Sequence, residues 1–270
     1  MNMNVTVIIP VKNDSINLSK SLPTLSGFDQ VMVVDSNSSD NSVKIASKFN
    51  CEIYQFEWDG NFPKKRNWAL QNLPIRNPWV LFLDSDEFMT EAFRKELTKK
   101  IQDPKVDGYW VRFTNNFMGR ELKHGDSFSK LALIRLGKGK YEYIEEHNWS
   151  KLDMEVHEHI VVDGKEGRIK AKLIHKDFKS LEKYIERHNE YSSWEARRFI
   201  QLSKVGDEQF STRQKLKYAL LKVGLLPWIY FIGSYIFKLG FLDGKEGLHF
   251  ALYKMFYFLQ VQGKIREFST

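Results

Sequence analysis

Residues 79–87 read WVLFLDSDE: five apolar residues, Trp79 to Leu83, running directly into Asp84-Ser85-Asp86-Glu87. A continuous apolar run without polar alternation predicts a strand covered on both faces, as in a parallel sheet. The acidic cluster then falls at the carboxyl end of that strand, where open parallel sheets bind their ligands. Asp84 and Asp86 flank one residue as the chain leaves the strand, so both carboxylates can approach one ion. Hard divalent cations take oxygen ligands and stabilise charge on a leaving diphosphate. By itself such a triplet is weak evidence, because solvated turns often carry it; the buried strand before it raises its weight.

Working outward, VTVII (5–9) closed by Pro10, QVMVV (30–34) ending at Asp35, and residues 51–56 read as three further strands. Residues 14–22, a segment capped by Ser39-Asp40-Asn41 through Lys48, and 62–73 with Pro63 in the first turn read as helices. Thr90 caps another, through Ile101, that stops before Pro104. This alternation predicts a doubly wound α/β fold, Rossmann-like with a mostly parallel sheet, and places Asp35 as well as Asp84 at a strand end.

Beyond residue 105 the pattern changes. Residues 108–117, 130–136, 155–162 and 167–174 are strand-like, and a polar loop, MGRELKHGDSF (118–128), joins the first two. Ser180 to Ser203 predicts a long amphipathic helix. A basic helix, TRQKLKYALLK (212–222), then precedes the apolar run VGLLPWIYFIGSYIF (223–237). The organisation expected is a catalytic domain over 1–203, with a nucleotide-binding half at 1–100 and an acceptor-side half at 101–203. A basic, aromatic, helical and amphipathic extension follows over 204–270.

Composition limits the function classes. The 270 residues carry a net charge of +7 and 14% aromatic side chains. A basic chain seeks anions, yet no groove-reading motif accompanies the charge, so no nucleic-acid partner is expected. Cys51 is the single cysteine, which rules out an internal disulfide. The apolar run Val5–Ile9 is too short for a signal-peptide core, and a cytoplasmic location is expected. The fifteen residues 223–237 would span about 22 Å as a helix, against roughly 30 Å of hydrocarbon. Pro227 and Gly233 interrupt the run. It reads as an interfacial or re-entrant element, peripheral on the inner membrane face, with Arg213, Lys215, Lys217 and Lys222 available to anionic lipid. A helical pair packed on the catalytic domain or making a dimer is the alternative.

Four segments resemble the family-2 inverting glycosyltransferases of GT-A fold: VTVIIPVKND at the start, VVDSNSSDNSVKIA (33–46), KKRNWAL (64–70) and WVLFLDSDE (79–87). Later, VHEHI (156–160), the His175 segment and FLDGKEG (241–247) look like the subgroup that builds bacterial lipopolysaccharide core, which includes β-1,4-glucosyltransferases. The resemblance implies a nucleotide-sugar donor such as a UDP-hexose, Mg2+ or Mn2+, and a glycan or lipid-linked acceptor in surface polysaccharide synthesis. It also implies that Pro10, Lys12 and Asn13 line the nucleotide pocket and that Asp35 meets the base or ribose. Arg66 and Asn67 would lie near base and phosphates, Asp84 with Ser85 beside the ribose and metal, and Asp86 on the metal directly.

Residue chemistry is compatible with these roles. A strand-end carboxylate such as Asp35 accepts from a base N–H or a ribose hydroxyl. Arg66 offers a planar fork. Asn13 either lines the pocket or caps the next helix, and at least one of Lys64 and Lys65 is expected to be a solvated surface charge. Inverting transfer needs a base for the acceptor hydroxyl. Glu158, in VHEHI, is preferred, with Asp126 and His157 as alternatives; the other readings of His157 are a place in the metal shell or a satisfied core histidine. His124 and Trp149 are acceptor-side candidates. A sugar-nucleotide nucleotidyltransferase would show a Gly-rich phosphate loop after the first strand, where this chain has PVKND. A non-catalytic sugar- or nucleotide-binding module remains if no base is present.

Overall fold

Alternate residues of the first strand, β1 (Met3–Val11), enter different hydrophobic clusters: Val5, Val7, Ile9 and Val11 join one, and Ile8 joins the other. A side-chain period of two in a strand covered on both faces produces this split. The computed structural model describes residues 3–146, 149, 153–155, 158–205 and 212–269. Two compact units are present: Met1–Thr114 with Phe128–His175, and Asn115–Ser127 with Lys176–Thr270.

In the first unit, β1 is followed by α1 (Ser15–Ser21), β2 (Phe28–Asp35), α2 (Ser42–Lys48), β3 (Glu52–Gln55), α3 (Lys65–Asn72), β4 (Trp79–Phe82), the two-residue β5 (Glu87–Phe88) and α4 (Glu91–Lys100). The predicted alternation is present. Thr90 caps α4 through its hydroxyl, which accepts from the Phe93 N–H at 3.1 Å. Asp40 accepts from the Ser42 N–H at 2.9 Å at the start of α2. The third helix starts later than expected, at Lys65, and leaves Pro63 outside it.

The next strands are β6 (Gly108–Phe113), β7 (Asn115–Phe117), β8 (Arg120–Leu122), β9 (Phe128–Arg135), β10 (Gly139–Tyr141), β11 (Ile160–Val162) and β12 (Glu166–His175). The main sheet has eight strands in the order β3-β2-β1-β4-β9-β6-β12-β5. Only β9 and β5 run against the others. Leu18 of α1, Ala46 of α2 and Phe93 and Leu97 of α4 pack on one face, and Ala69 of α3, with Leu73, on the other. Val11 pairs with Asp35 and Ile8 with Phe82, so the carboxyl ends of β2, β1 and β4 lie side by side.

Two readings are corrected. The segment 108–117 is not one strand: it divides at Thr114, and β7 pairs only with β8, in the second unit. Among the described residues of 155–162, only Ile160–Val162 form a strand; Glu155 and Glu158 are buried outside it.

The second unit holds the β7–β8 hairpin, α5 (Leu181–Val205), α6 (Thr212–Lys222), α7 (Leu226–Phe231), a π-turn (Ile232–Phe237), a 3-10 turn (Gly240–Asp243) and α8 (Gly244–Ser269). Ser180 caps α5, its hydroxyl accepting from the Lys183 N–H at 3.1 Å. Ala196, Phe199 and Leu202 of α5 share a cluster with Tyr218 of α6 and Val261 of α8. This packing differs from the division expected at 203/204: α5 belongs with the C-terminal helices because its apolar face is buried on them. Among the described residues, no helix is long and apolar enough to cross a membrane.

Gly247 lets α8 close onto the preceding turn, since an added Cβ would lie 2.2 Å from the Gly240 carbonyl oxygen and 2.9 Å from Asp243 Cβ. Gly247→Ala is expected to destabilise the chain by about 1–3 kcal/mol, the cost of overpacking, read as a lower urea midpoint at unchanged slope. His188 supplies a pH test. Its Nδ1 lies 2.9 Å from the Tyr184 carbonyl and its Nε2 3.3 Å from Lys254 Nζ. Burial, and then the Lys254 charge, push its pKa down to about 4 from 6.5. Between these values the unfolded chain takes a proton that the folded chain refuses, so stability falls as pH falls through that window. His188→Gln should flatten the drop in melting temperature between neutral pH and pH values near 5; an identical drop in both proteins refutes the assignment.

Candidate active site

Asp84 lies two residues past β4, beside the end of β1, and both of its oxygens are taken by cations. Oδ1 is 2.5 Å from Arg66 Nη2 and Oδ2 is 2.8 Å from Lys130 Nζ. Burial opposes its ionisation, but Lys130 and Arg66 outweigh that and hold its carboxyl well below the usual range. Lys130 also meets Glu87 Oε1 at 2.7 Å, and burial pushes the Glu87 carboxyl up to about 7 against that pull. The other Glu87 oxygen accepts from the Asp84 N–H at 2.9 Å. A partly buried Arg–Asp–Lys–Glu chain thus fixes the start of the acidic triplet.

Arg66 reaches Asp84 because α3 is anchored by a loop. Glu155 receives the Arg66 and Asn67 backbone N–H groups, both at 2.8 Å, and thereby caps the helix N-terminus. The Glu155 carbonyl accepts from Arg66 Nη1, and the guanidinium lies over the Tyr141 ring at 5.4 Å. Lys64 and Lys65 are buried, correcting the expectation of a solvated charge. Lys64 bridges Glu146 and Glu158, the latter at 2.7 Å, and Lys65 meets Asp153 at 3.2 Å. Burial of these ammonium groups is compensated only through partners about eighty to ninety residues away, which single-sequence reading has no means to find.

Asp86, half-buried like Asp84, has a different neighbour: its Oδ1 lies 3.7 Å from His175 Nε2. The antiparallel pairing of β5 with β12, which places His175 opposite Glu87, brings them together. The His175 ring stacks on Phe128 at 5.5 Å, and its backbone N–H donates to Thr114 Oγ1 at 3.0 Å. A carboxylate and an imidazole at this spacing could supply two ligands to a divalent cation, a mixed set that suits Mn2+ better than Mg2+, which favours oxygen. Asp84, engaged by two cations, does not fit the role of direct ligand. In the sequence His175 stands out only as part of a resembling segment, and Lys130 carries no local signal.

The remaining expected site residues divide clearly. Asp35 is buried at the end of β2; its Oδ2 accepts from the Ser38 N–H at 2.9 Å, while Oδ1 has no hydrogen-bond partner among the described residues. Pro10 is buried at the end of β1 and Lys12 is exposed. Asn13 does not cap α1: its Oδ1 accepts from the Ser39 N–H at 2.7 Å, tying the first loop to the second. Ser85 donates to Asp14 Oδ2 at 2.5 Å. Asn67 is a correction, because it is 1% exposed and both ends of its amide clamp the Tyr141 backbone, at 2.9 and 3.0 Å.

Glu158 lines a cavity of about 160 Å3 with Glu142, Tyr143, Phe62 and Trp58. Trp149 donates its backbone N–H to the Glu146 carbonyl at 3.0 Å. His157 lies outside the described residues. Asp126 and His124 belong to the second unit and have structural partners there: Lys238 at 2.9 Å and Asp243 at 3.2 Å.

The family model described as glycosyl transferase family 2 matches residues 6–162, more than half of the chain. The chain belongs to glycosyltransferase family 2. Its α/β sheet, mostly parallel, and its helical C-terminal part are the GT-A architecture expected. This glycosyltransferase is 24% identical over 261 residues, 88% of its length and 86% of the relative's, to the lipopolysaccharide core biosynthesis glycosyltransferase LpsC of Rhizobium meliloti. It is 32% identical over 100 residues, 37% of this chain and 32% of the other, to an uncharacterized glycosyltransferase of Rickettsia conorii. Among solved structures, residues 1–349 of S. aureus TarS align at a TM-score of 0.45 and 15% identity, covering 99% of this chain and 91% of that one.

The geometry assigns Asn67 to the scaffold. Asn67→Ala strips a buried N–H and a buried C=O of their partners and is expected to cost about 2–4 kcal/mol in chemical denaturation. The KM for the donor in the folded fraction should stay unchanged; a raised KM without loss of stability would return Asn67 to the nucleotide.

Proposed function

We propose that this family-2 glycosyltransferase moves a hexose from a UDP-sugar to a glycan or lipid-linked acceptor of bacterial surface polysaccharide, with inversion. The likeness to LpsC over most of both chains supports lipopolysaccharide core as the acceptor class. The observation that carries the catalytic reading is the Asp86–His175 pair beside an Asp84 already neutralised by Arg66 and Lys130. Asp86 and His175 would hold Mg2+ or Mn2+, which supplies Lewis-acid stabilisation of the departing diphosphate.

The chain's own residues account for the other tasks. Asp35 turns a buried, unpaired carboxylate oxygen toward a donor group, and a base N–H or ribose hydroxyl would satisfy it. Pro10, Lys12 and Asn13 border the same strand ends, with Lys12 exposed to meet phosphate. Asp84, fixed by its two cations, presents its edge to the ribose beside Ser85. Glu158 takes the acceptor hydroxyl's proton as that oxygen attacks the anomeric carbon from the face opposite the phosphate. Its cavity, walled by Trp58, Phe62 and Tyr143, provides aromatic faces of the kind that sugars stack on.

Thermal shift against a panel of nucleotide sugars with Mn2+ identifies the donor, and the strongest response is expected from a UDP-hexose. Asp86→Ala and His175→Ala should then each abolish the Mn2+-dependent part of that shift. Glu158→Gln should keep the shift and lose about 10²–10⁴ in turnover, the usual contribution of a general base. Near wild-type turnover in Glu158→Gln removes the base assignment, and an intact Mn2+ response in Asp86→Ala removes the metal site.

A further inference from the structure

The second unit carries an apolar face that its own packing leaves open. In α7 and the π-turn, Trp228 is 55% exposed and Phe237 80%, and Ile232 and Ile236 are exposed between them. Phe241 and Leu242 continue the face through the 3-10 turn. On α8, Leu252, Phe256 and Leu259 are exposed at spacings of four and three, which place them on one stripe. On the same helix Phe258 packs on Tyr230 of α7 at 4.9 Å and Tyr257 faces His188 of α5, so the stripe lies on the side of α8 turned away from these contacts. An exposed apolar run from Trp228 to Leu242, followed by an exposed stripe on the next helix, is more than scattered exposure produces.

The same segment holds most of the chain's charge. Residues 212–270 contain nine Lys and Arg against three Asp and Glu, which is six of the seven net positive charges. Lys215, Lys222, Lys238 and Lys245 are exposed, whereas Asp243 is buried. An exposed apolar face carrying Trp and Phe, in a segment with exposed lysines and a net positive charge, matches the boundary of an anionic bilayer. A second copy is a poorer occupant, since a two-fold interface sets like patches against each other and would bring two such basic segments together. Among the described residues no helix can cross the bilayer, so the contact is one of lying on the surface.

We propose that this face docks on an anionic lipid surface, with Trp228, Phe237, Phe241 and Phe256 entering the headgroup–acyl boundary and the lysines meeting lipid phosphates. The inference is independent of the transfer reaction, and its test needs no turnover. The full chain is floated with vesicles of phosphatidylcholine and phosphatidylglycerol in equal parts, and with vesicles of phosphatidylcholine alone. Flotation is expected with the mixed vesicles, with strong loss in raised salt and on neutral vesicles.

Two variants at exposed positions locate the contact: Lys215→Gln/Lys222→Gln/Lys245→Gln and Trp228→Ser/Phe237→Ser. Each lysine near an anionic surface contributes about 1 kcal/mol, roughly fivefold, so the triple variant should partition on the order of a hundredfold more weakly, with an unchanged melting temperature. The double variant should also lose binding. The proposal is overturned if the wild-type chain stays in solution, if it binds neutral vesicles equally well, or if light scattering shows a dimer that Trp228→Ser/Phe237→Ser dissociates while vesicle binding is absent.

Discussion

Asp84 is half-buried, and the cations that hold its carboxyl ionised arrive from α3 and β9. Taking charges out of water costs several kcal/mol per ion, so such a cluster is tenable only when each member is held in place. That requirement propagates. Arg66 must be buried to reach Asp84, its second nitrogen must then find the Glu155 carbonyl, and the Glu155 carboxylate must cap α3 for the guanidinium to point correctly. Asn67, one residue on, fastens the helix to β10. The loop around Asp153–Glu155 is thus part of the site's foundation, although none of its atoms belongs to the acidic triplet.

The two aspartates of the triplet have different partners for the same reason. Both oxygens of Asp84 meet protein cations. Asp86 meets His175 because two residues of β5 pair with the end of β12. This pairing is short, and its effect is large: it joins an acidic turn near residue 86 to an imidazole almost ninety positions later. Phe128, stacked on the ring, restricts its rotation.

The parts of this arrangement that were legible in sequence are those written by local chemistry. Apolar runs gave the strands, Thr90 and Ser180 marked helix starts, and the strand-end rule singled out Asp35 and Asp84. What could not be read depends on partners far away in the chain. Lys64 and Lys65 look like surface charges until Glu146, Glu158 and Asp153 are folded against them. Lys130 lies within an apolar strand, where its function is visible only once β9 lies next to β4. Asn67 misleads for the opposite reason: its position beside Arg66 in the motif suggests shared chemistry, whereas successive helical residues face different ways, and its amide bonds the Tyr141 backbone.

The second unit gives a similar lesson about motifs. In FLDGKEG, Asp243 is buried and accepts from the N–H groups of Lys123 and His124, at 3.1 and 2.8 Å, while meeting the His124 ring. Gly244 takes a positive φ of 69°, and Gly247 admits the close approach of α8. Hydrogen bonds to a charged group contribute about 1.5–3 kcal/mol each, so one carboxylate with two such bonds is enough to hold the 123–124 loop against the helix start. Lys238 receives the Gly125 N–H at its carbonyl and Asp126 at its ammonium, closing the same loop from the other side. Polar residues that read as acceptor chemistry in MGRELKHGDSF are thereby committed to folding the loop, and the motif that resembles a functional signature acts here through geometry.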